Sequence, residues 1–149
     1  MEPHEWTVRV RAAGKDHATA FVRKHRFEVG APVGFDVESE RISALEYVLG
    51  AVGADLAVGL DRLLRLRRLP VDGVEAVVRG ALDDPSAALG AVGAAGHPGL
   101  GKVGVKVYAS TPAAESEVRA VWEETLRRSP LARTLRDAVS FDLELKVTM

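Results

Sequence analysis

The 149-residue sequence contains no cysteine, and that absence excludes the most. Disulfides, thiolate nucleophiles and cysteine-ligated metal sites are all ruled out. Sulfur is confined to Met1 and Met149, at the two ends. Charge of one sign is not in excess. The formal net charge is −1 and the pI near 6.4, which argues against a nucleic-acid partner held by bulk electrostatics. The N-terminus, MEPHEWTVRV, lacks the apolar core of a secretory signal, so the expected compartment is the cytoplasm. The four histidines, His4, His17, His25 and His97, show no ligand spacing, so neither a metal nor a cofactor is expected. Gly99-Leu100-Gly101 has neither the lysine-hydroxyl ending nor the following helix of a phosphate loop. Internal repeats and long low-complexity linkers are missing too. A chain of this length is expected to form one domain, residues 1–149, with a real core.

The most informative stretch runs from Ile42 to Arg68. Between Ala44 and Leu60 it carries only two charges, Glu46 and Asp55. A helix apolar on nearly all sides must be buried on nearly all sides. A carboxylate inside it is costly unless paired, protonated or put to use. Ser43 and Glu46 form a Ser-x-x-Glu capping box, with Ile42 and Tyr47 as a hydrophobic staple. Leu69-Pro70 ends the helix. Arg62, Arg65, Arg67 and Arg68 suit the negative end of its dipole, and Asp61 pairs with Arg65 one turn on. Gly50, Gly53 and Gly59 each cost about 0.8–1 kcal/mol of helix stability relative to alanine. With Ala51, Ala54 and Ala57 they leave a small-residue surface, which predicts close approach of another backbone, a second copy of the helix. The apolar run is about 17 residues, at the lower limit for a membrane span, and holds an acid, so a buried soluble helix is expected.

Three strands are predicted ahead of this helix: Trp6–Arg11, Ala18–Lys24 and His25–Val29. A loop over Gly30–Glu40 follows, with Phe35 placed against the core. Beyond Pro70 come a strand around Val74–Leu82, a loop with at most one weak helical turn over Ser86–Gly101, and a strand at Val103–Val107. Ser110 or Thr111 then caps a helix whose buried face is Val118, Val121, Trp122 and Thr125. Ser129-Pro130 starts a short helix by the same cap-then-proline logic. The strand Val139–Val147 alternates cleanly. This order predicts an α+β fold with an antiparallel sheet. The buried helix has more apolar surface than one such sheet covers, so a homodimer is inferred, two helices enclosed by two sheets.

Ala51–Leu60, AVGADLAVGL, resembles the OsmC/Ohr family segment A-L-G-A-C-T-A-M-T-L. The upstream ALEYVLGA resembles that family's P-x-E-L-L-L-A-A, and Ser129–Leu135, SPLARTL, resembles its C-P-x-x-R-T-L. The resemblance covers essentially the whole chain. It implies an OsmC-like fold, with antiparallel sheets enclosing long central helices in an intertwined homodimer, and sites at the subunit interface. It also implies thiol reduction of organic hydroperoxides, in which one cysteine attacks the peroxide and a second resolves the sulfenic acid. In this chain the first cysteine position is Asp55 and the second Ser129, and the family proline is Ala44. A carboxylate has no comparable two-electron oxidation and an alcohol forms no disulfide, so cysteine-based peroxidase activity is excluded.

Asp55 is open to two readings. It is a structural carboxylate held by arginine or backbone donors, with Arg62 and Arg133 as the candidate arginines. Or it anchors a ligand, or serves as a general acid/base. Glu46 is mainly a capping residue, about 180° around the helix from Asp55. Ser129 is mainly an N-cap, with no histidine base near it in sequence. The ligand-binding candidates are thus Asp55, Ser129, Glu46 and Arg133. Three functions remain: an OsmC-like homodimer without the peroxidase machinery, its interface pocket open to a small, partly apolar ligand; an enzyme of another class using Asp55 as acid or base; or a purely structural or interaction protein. The first two require an open cavity with convergent polar groups beside Asp55.

Overall fold

The computed structural model describes residues 1–31 and 39–149, so the expected placement of Phe35 lies outside the described residues. Contacts divide the chain into two compact units, Met1–Val48 and Leu49–Met149.

The first unit holds β1 (Arg9–Ala12), β2 (Ala18–Val22) and β3 (His25–Val29), an antiparallel meander in that order. The second strand stops two residues earlier than its alternation suggests. Arg23 takes φ 53°, and with Lys24 forms the tight turn into β3. A two-residue hairpin of type II′ needs positive φ at its first central position, which Arg23 supplies, so the chain reverses there. The unit also contains the start of the long helix α1 (Ala44–Leu66). Its capping box is formed in both directions. The Ser43 N–H donates to Glu46 Oε1 at 3.0 Å, and the Glu46 N–H donates to Ser43 Oγ at 3.2 Å. Tyr47 stacks on Phe27, with ring centroids 5.2 Å apart, and its hydroxyl donates to the Glu28 carbonyl at 2.8 Å. Ile42, the other half of the expected staple, remains exposed.

The second unit contains the rest of α1, then β4 (Gly73–Leu82), the short α2 (Pro85–Ala88), β5 (Leu100–Ser110), α3 (Glu115–Arg128), α4 (Pro130–Leu135) and β6 (Ser140–Thr148). Val52, Leu56, Leu60 and Leu64 of α1 recur at helical spacing and are essentially fully buried. They meet Val103, Val105, Val107 and Ala109 of β5, Val118, Val121 and Trp122 of α3, and Leu145 of β6 in one core. Alternation puts the β5 valines on one face, with Lys102, Lys106 and Tyr108 on the other.

The sheet order is β4-β5-β6. The expected antiparallel pairing holds for β4 with β5, but β6 runs parallel to β5, with Val105 opposite Leu143 and Val107 opposite Leu145. Two helices separate β5 from β6, and a crossover of that length allows the chain to re-enter the sheet in the same direction. Together with the antiparallel meander this is an α+β fold. Among the described residues, no helix is long and apolar enough to cross a membrane.

Two local expectations change. Thr111 does not cap α3, which begins at Glu115 after Ala114. Its buried hydroxyl instead bonds the Pro70 carbonyl and accepts from Ala113 N–H at 3.0 Å, tying the end of β5 to the segment after α1. The end of α1 is set by Arg68, at φ 58°, rather than by Pro70 alone. Leu69 N–H bonds Leu64 O and Arg68 N–H bonds Arg65 O, the Schellman pattern.

Candidate functional site

The site is built where α1, α3 and α4 meet within the second unit. Asp55 is on α1, half-exposed and directly before buried Leu56. Ser129 ends α3 and opens α4, and only 4% of it is exposed. Proline at position 130 fixes the first turn of α4 and has no N–H to satisfy. Ser129 Oγ accepts from Ala132 N–H at 3.1 Å, the expected cap. The same hydroxyl donates to Asp55 Oδ2 at 2.5 Å, and Leu131 N–H donates to that oxygen at 3.2 Å. Two side chains 74 positions apart thus converge on one contact, and the carboxylate bonds two groups at a helix start, where negative charge is favoured.

Beside this pair is a cleft of about 260 Å³, bordered by Asp55, Arg62, Leu63, Leu66, Arg128 and Ser129. Gly59 of α1 faces Thr125 of α3 on one side of it. A methyl group added at Gly59 would meet the Thr125 methyl at 3.2 Å. Arg128 is held in place by Glu124, one turn back on α3, at 2.6 Å. Glu124 also pairs with Arg67 from the end of α1. This buried carboxylate therefore lies between two guanidinium groups and joins the two helices. Among the described residues, no protein donor meets Asp55 Oδ1, so one oxygen of the pair is left for another partner.

The other candidates are placed differently. Glu46 is committed to the capping box, where hydrogen bonds from the backbone and hydroxyl of Ser43 hold its carboxyl below the usual range. Arg133 is exposed on α4 and does not border the cleft. Arg62 does border it, but Asp55 is held by a hydroxyl and a backbone N–H rather than by either arginine. Arg128, Glu124 and the Leu131 N–H were not anticipated. Glu124 and Arg128 are spaced as a helical ion pair, a signal the sequence carries, but the pairing of buried Glu124 with Arg67 at the end of the other helix has no such signal.

Two other hollows are larger. One of about 480 Å³ is apolar and belongs to the first unit, against Val10, Phe27, Val29 and Tyr47. Another of about 350 Å³ opens on the outer face of the second sheet around Gly104. No group of three or more potential metal ligands occurs among the described residues.

The fold has close counterparts among solved structures. An OsmC-like protein from Mycoplasma pneumoniae superposes with a TM-score of 0.81 at 12% identity, covering 99% of this chain and 100% of the other. The organic hydroperoxide resistance protein OsmC of Legionella pneumophila gives 0.67 at 12% identity, covering 100% of each chain. OhrB of Bacillus subtilis, an organic hydroperoxide resistance protein, gives 0.62 at 17% identity, covering 96% of this chain and 98% of that one. At such identities these likenesses speak for the fold alone. A comparison with curated proteins found no match. The family model for OsmC-like proteins matches residues 37–144, which takes in α1, β4, β5, the first half of β6 and the Asp55–Ser129 contact, and the chain belongs to that family.

Proposed function

We propose that this protein is a cytoplasmic OsmC-like homodimer that has exchanged the family's cysteine pair for Asp55 and Ser129, has no thiol peroxidase activity, and binds a small, partly apolar molecule in the cleft beside them. The contact between Asp55 and Ser129 carries the reading. The two positions that the family motifs assign to cysteines touch each other, at 2.5 Å, next to an open cleft. An ancestral redox centre converted into a polar anchor would have this arrangement. Asp55 Oδ1 supplies an acceptor, and Leu63 and Leu66 supply apolar surface. The homodimer is supported by the outward face of α1, where Val58 is 65% exposed. Only six of the 23 residues of α1 are buried, on one face and not on nearly all sides as expected. An apolar side chain on the open face therefore calls for a covering partner, and a second copy offers the same surface by symmetry.

Native mass spectrometry of the purified protein tests both parts. The expected result is a dimer carrying a small molecule that is lost in Asp55→Ala. A monomer with an empty cleft at every concentration would overturn the reading. The saturation of Asp55 Oδ2 by two neutral donors favours a second, purely structural reading. Under it, Asp55→Asn changes stability alone. Under the first reading, the same substitution also changes ligand affinity.

A further inference from the structure

We infer that the ligand of the Asp55 cleft is an organic monocarboxylate with a short apolar tail, its carboxylate received by Arg62. This rests on the reading of the cleft as a ligand site and goes further by assigning the charge of the ligand. The argument starts from the distribution of charge. Three carboxylates on the neighbouring helix turns already have donors, Asp55 through one oxygen only. Asp55 bonds Ser129 and Leu131. Asp61 bonds Arg65 through both of its oxygens, at 2.9 and 3.2 Å. Glu124 holds Arg67 and Arg128 together. Among the described residues, that leaves Arg62 on the rim of the cleft without an acidic partner.

Guanidinium binds a planar carboxylate through a fork of parallel N–H donors, and it is a poorer match for a hydroxyl or an amine. Arg128 is on the same rim and adds positive potential, although Glu124 offsets its charge. Leu63 and Leu66 provide the apolar wall. At about 260 Å³ the cleft is smaller than drug-sized pockets, which run to roughly 300–1,000 Å³, so the tail must be short. A cationic ligand would face two guanidinium groups, Arg62 and Arg128, and would meet one open carboxylate oxygen, Asp55 Oδ1, about 10 Å along α1 from Arg62.

The test compares three probes of one shape, hexanoate, hexanol and hexylammonium, by titration calorimetry on the full-length protein and on Arg62→Gln. Arg62 is exposed and carries no core contact, so the variant is expected to fold as the parent does. Hexanoate should bind roughly tenfold or more tightly than hexanol, hexylammonium weakest, and Arg62→Gln should remove the hexanoate advantage while leaving hexanol unchanged. Equal binding of hexanoate and hexanol, with Arg62→Gln silent, overturns the charge assignment but leaves the cleft as a ligand site. Failure of all three probes overturns the assignment and the ligand reading together.

Discussion

The contact between Ser129 and Asp55 makes a quantitative prediction. Ser129→Ala removes two interactions at once. The cap to Ala132 N–H contributes about 1 kcal/mol, within a range of roughly 0.5–2. A hydrogen bond to a carboxylate contributes about 1.5–3 kcal/mol, and the lower end applies because Asp55 is half-exposed. The expected loss is therefore about 2–3 kcal/mol. With a urea m-value of about 2 kcal/mol/M, the unfolding midpoint falls by about 1 M. Asp55→Asn retains a neutral acceptor for both donors and should cost about 1 kcal/mol. The decisive assay is a double-mutant cycle of Asp55→Ala and Ser129→Ala, followed by urea denaturation at one fixed protein concentration, because the stability of a dimer depends on concentration. The coupling energy should be about 1–2 kcal/mol. If the two losses instead add to within about 0.5 kcal/mol, the side chains do not interact, and the replaced-centre reading is refuted with them.

Purified protein should show no turnover of cumene hydroperoxide with a dithiol reductant above the protein-free rate, since no thiol is available to become a sulfenic acid. Leu60→Ala, at a site with no exposure, should cost about 2–5 kcal/mol in the same urea assay. Gly53→Ala places a methyl group 2.8 Å from Val78 Cγ2, so it should destabilise by about 1–3 kcal/mol despite alanine's better helix propensity; a stabilised variant would show that β4 yields there. Glu46 contributes to the acid side of the stability profile. Its folded-state pKa is lowered by Ser43, so its contribution is present above the unfolded value of about 4.3 and is lost as the pH falls through the lower folded value. Glu46→Gln should flatten that part of a pH–stability curve, and an unchanged acid slope would count against the capping box.

Much of this protein follows from local pattern. The reciprocal bonds of Ser43 and Glu46, the pairing of Asp61 with Arg65, the cap of Ser129 on α4 and the inward alternation of Phe141, Leu143 and Leu145 all arise from spacings of nine residues or fewer. Neighbours at such spacings meet whatever the rest of the chain does, so the sequence itself determines them. The motif around Asp55 and the one at Ser129 were legible as well, together with the chemical consequence of having no sulfur there.

Other features depended on which elements pack together. Gly53 and Gly59 were expected to admit a second copy of α1. They make room instead for Val78 and Thr125 of the same chain, while Gly50 meets nothing within 4 Å. The direction of β6 is set by how α3 and α4 cross back, and strand alternation is identical in parallel and antiparallel pairing. Buried Glu124 pairs with Arg67, which arrives from 57 positions away. Asp55 met a serine hydroxyl and a backbone N–H rather than an arginine because the start of α4 faces it, and a backbone donor has no residue-type signature. Short-range geometry is encoded residue by residue, whereas a partner brought from the far end of the chain is chosen by close packing, which no local pattern records.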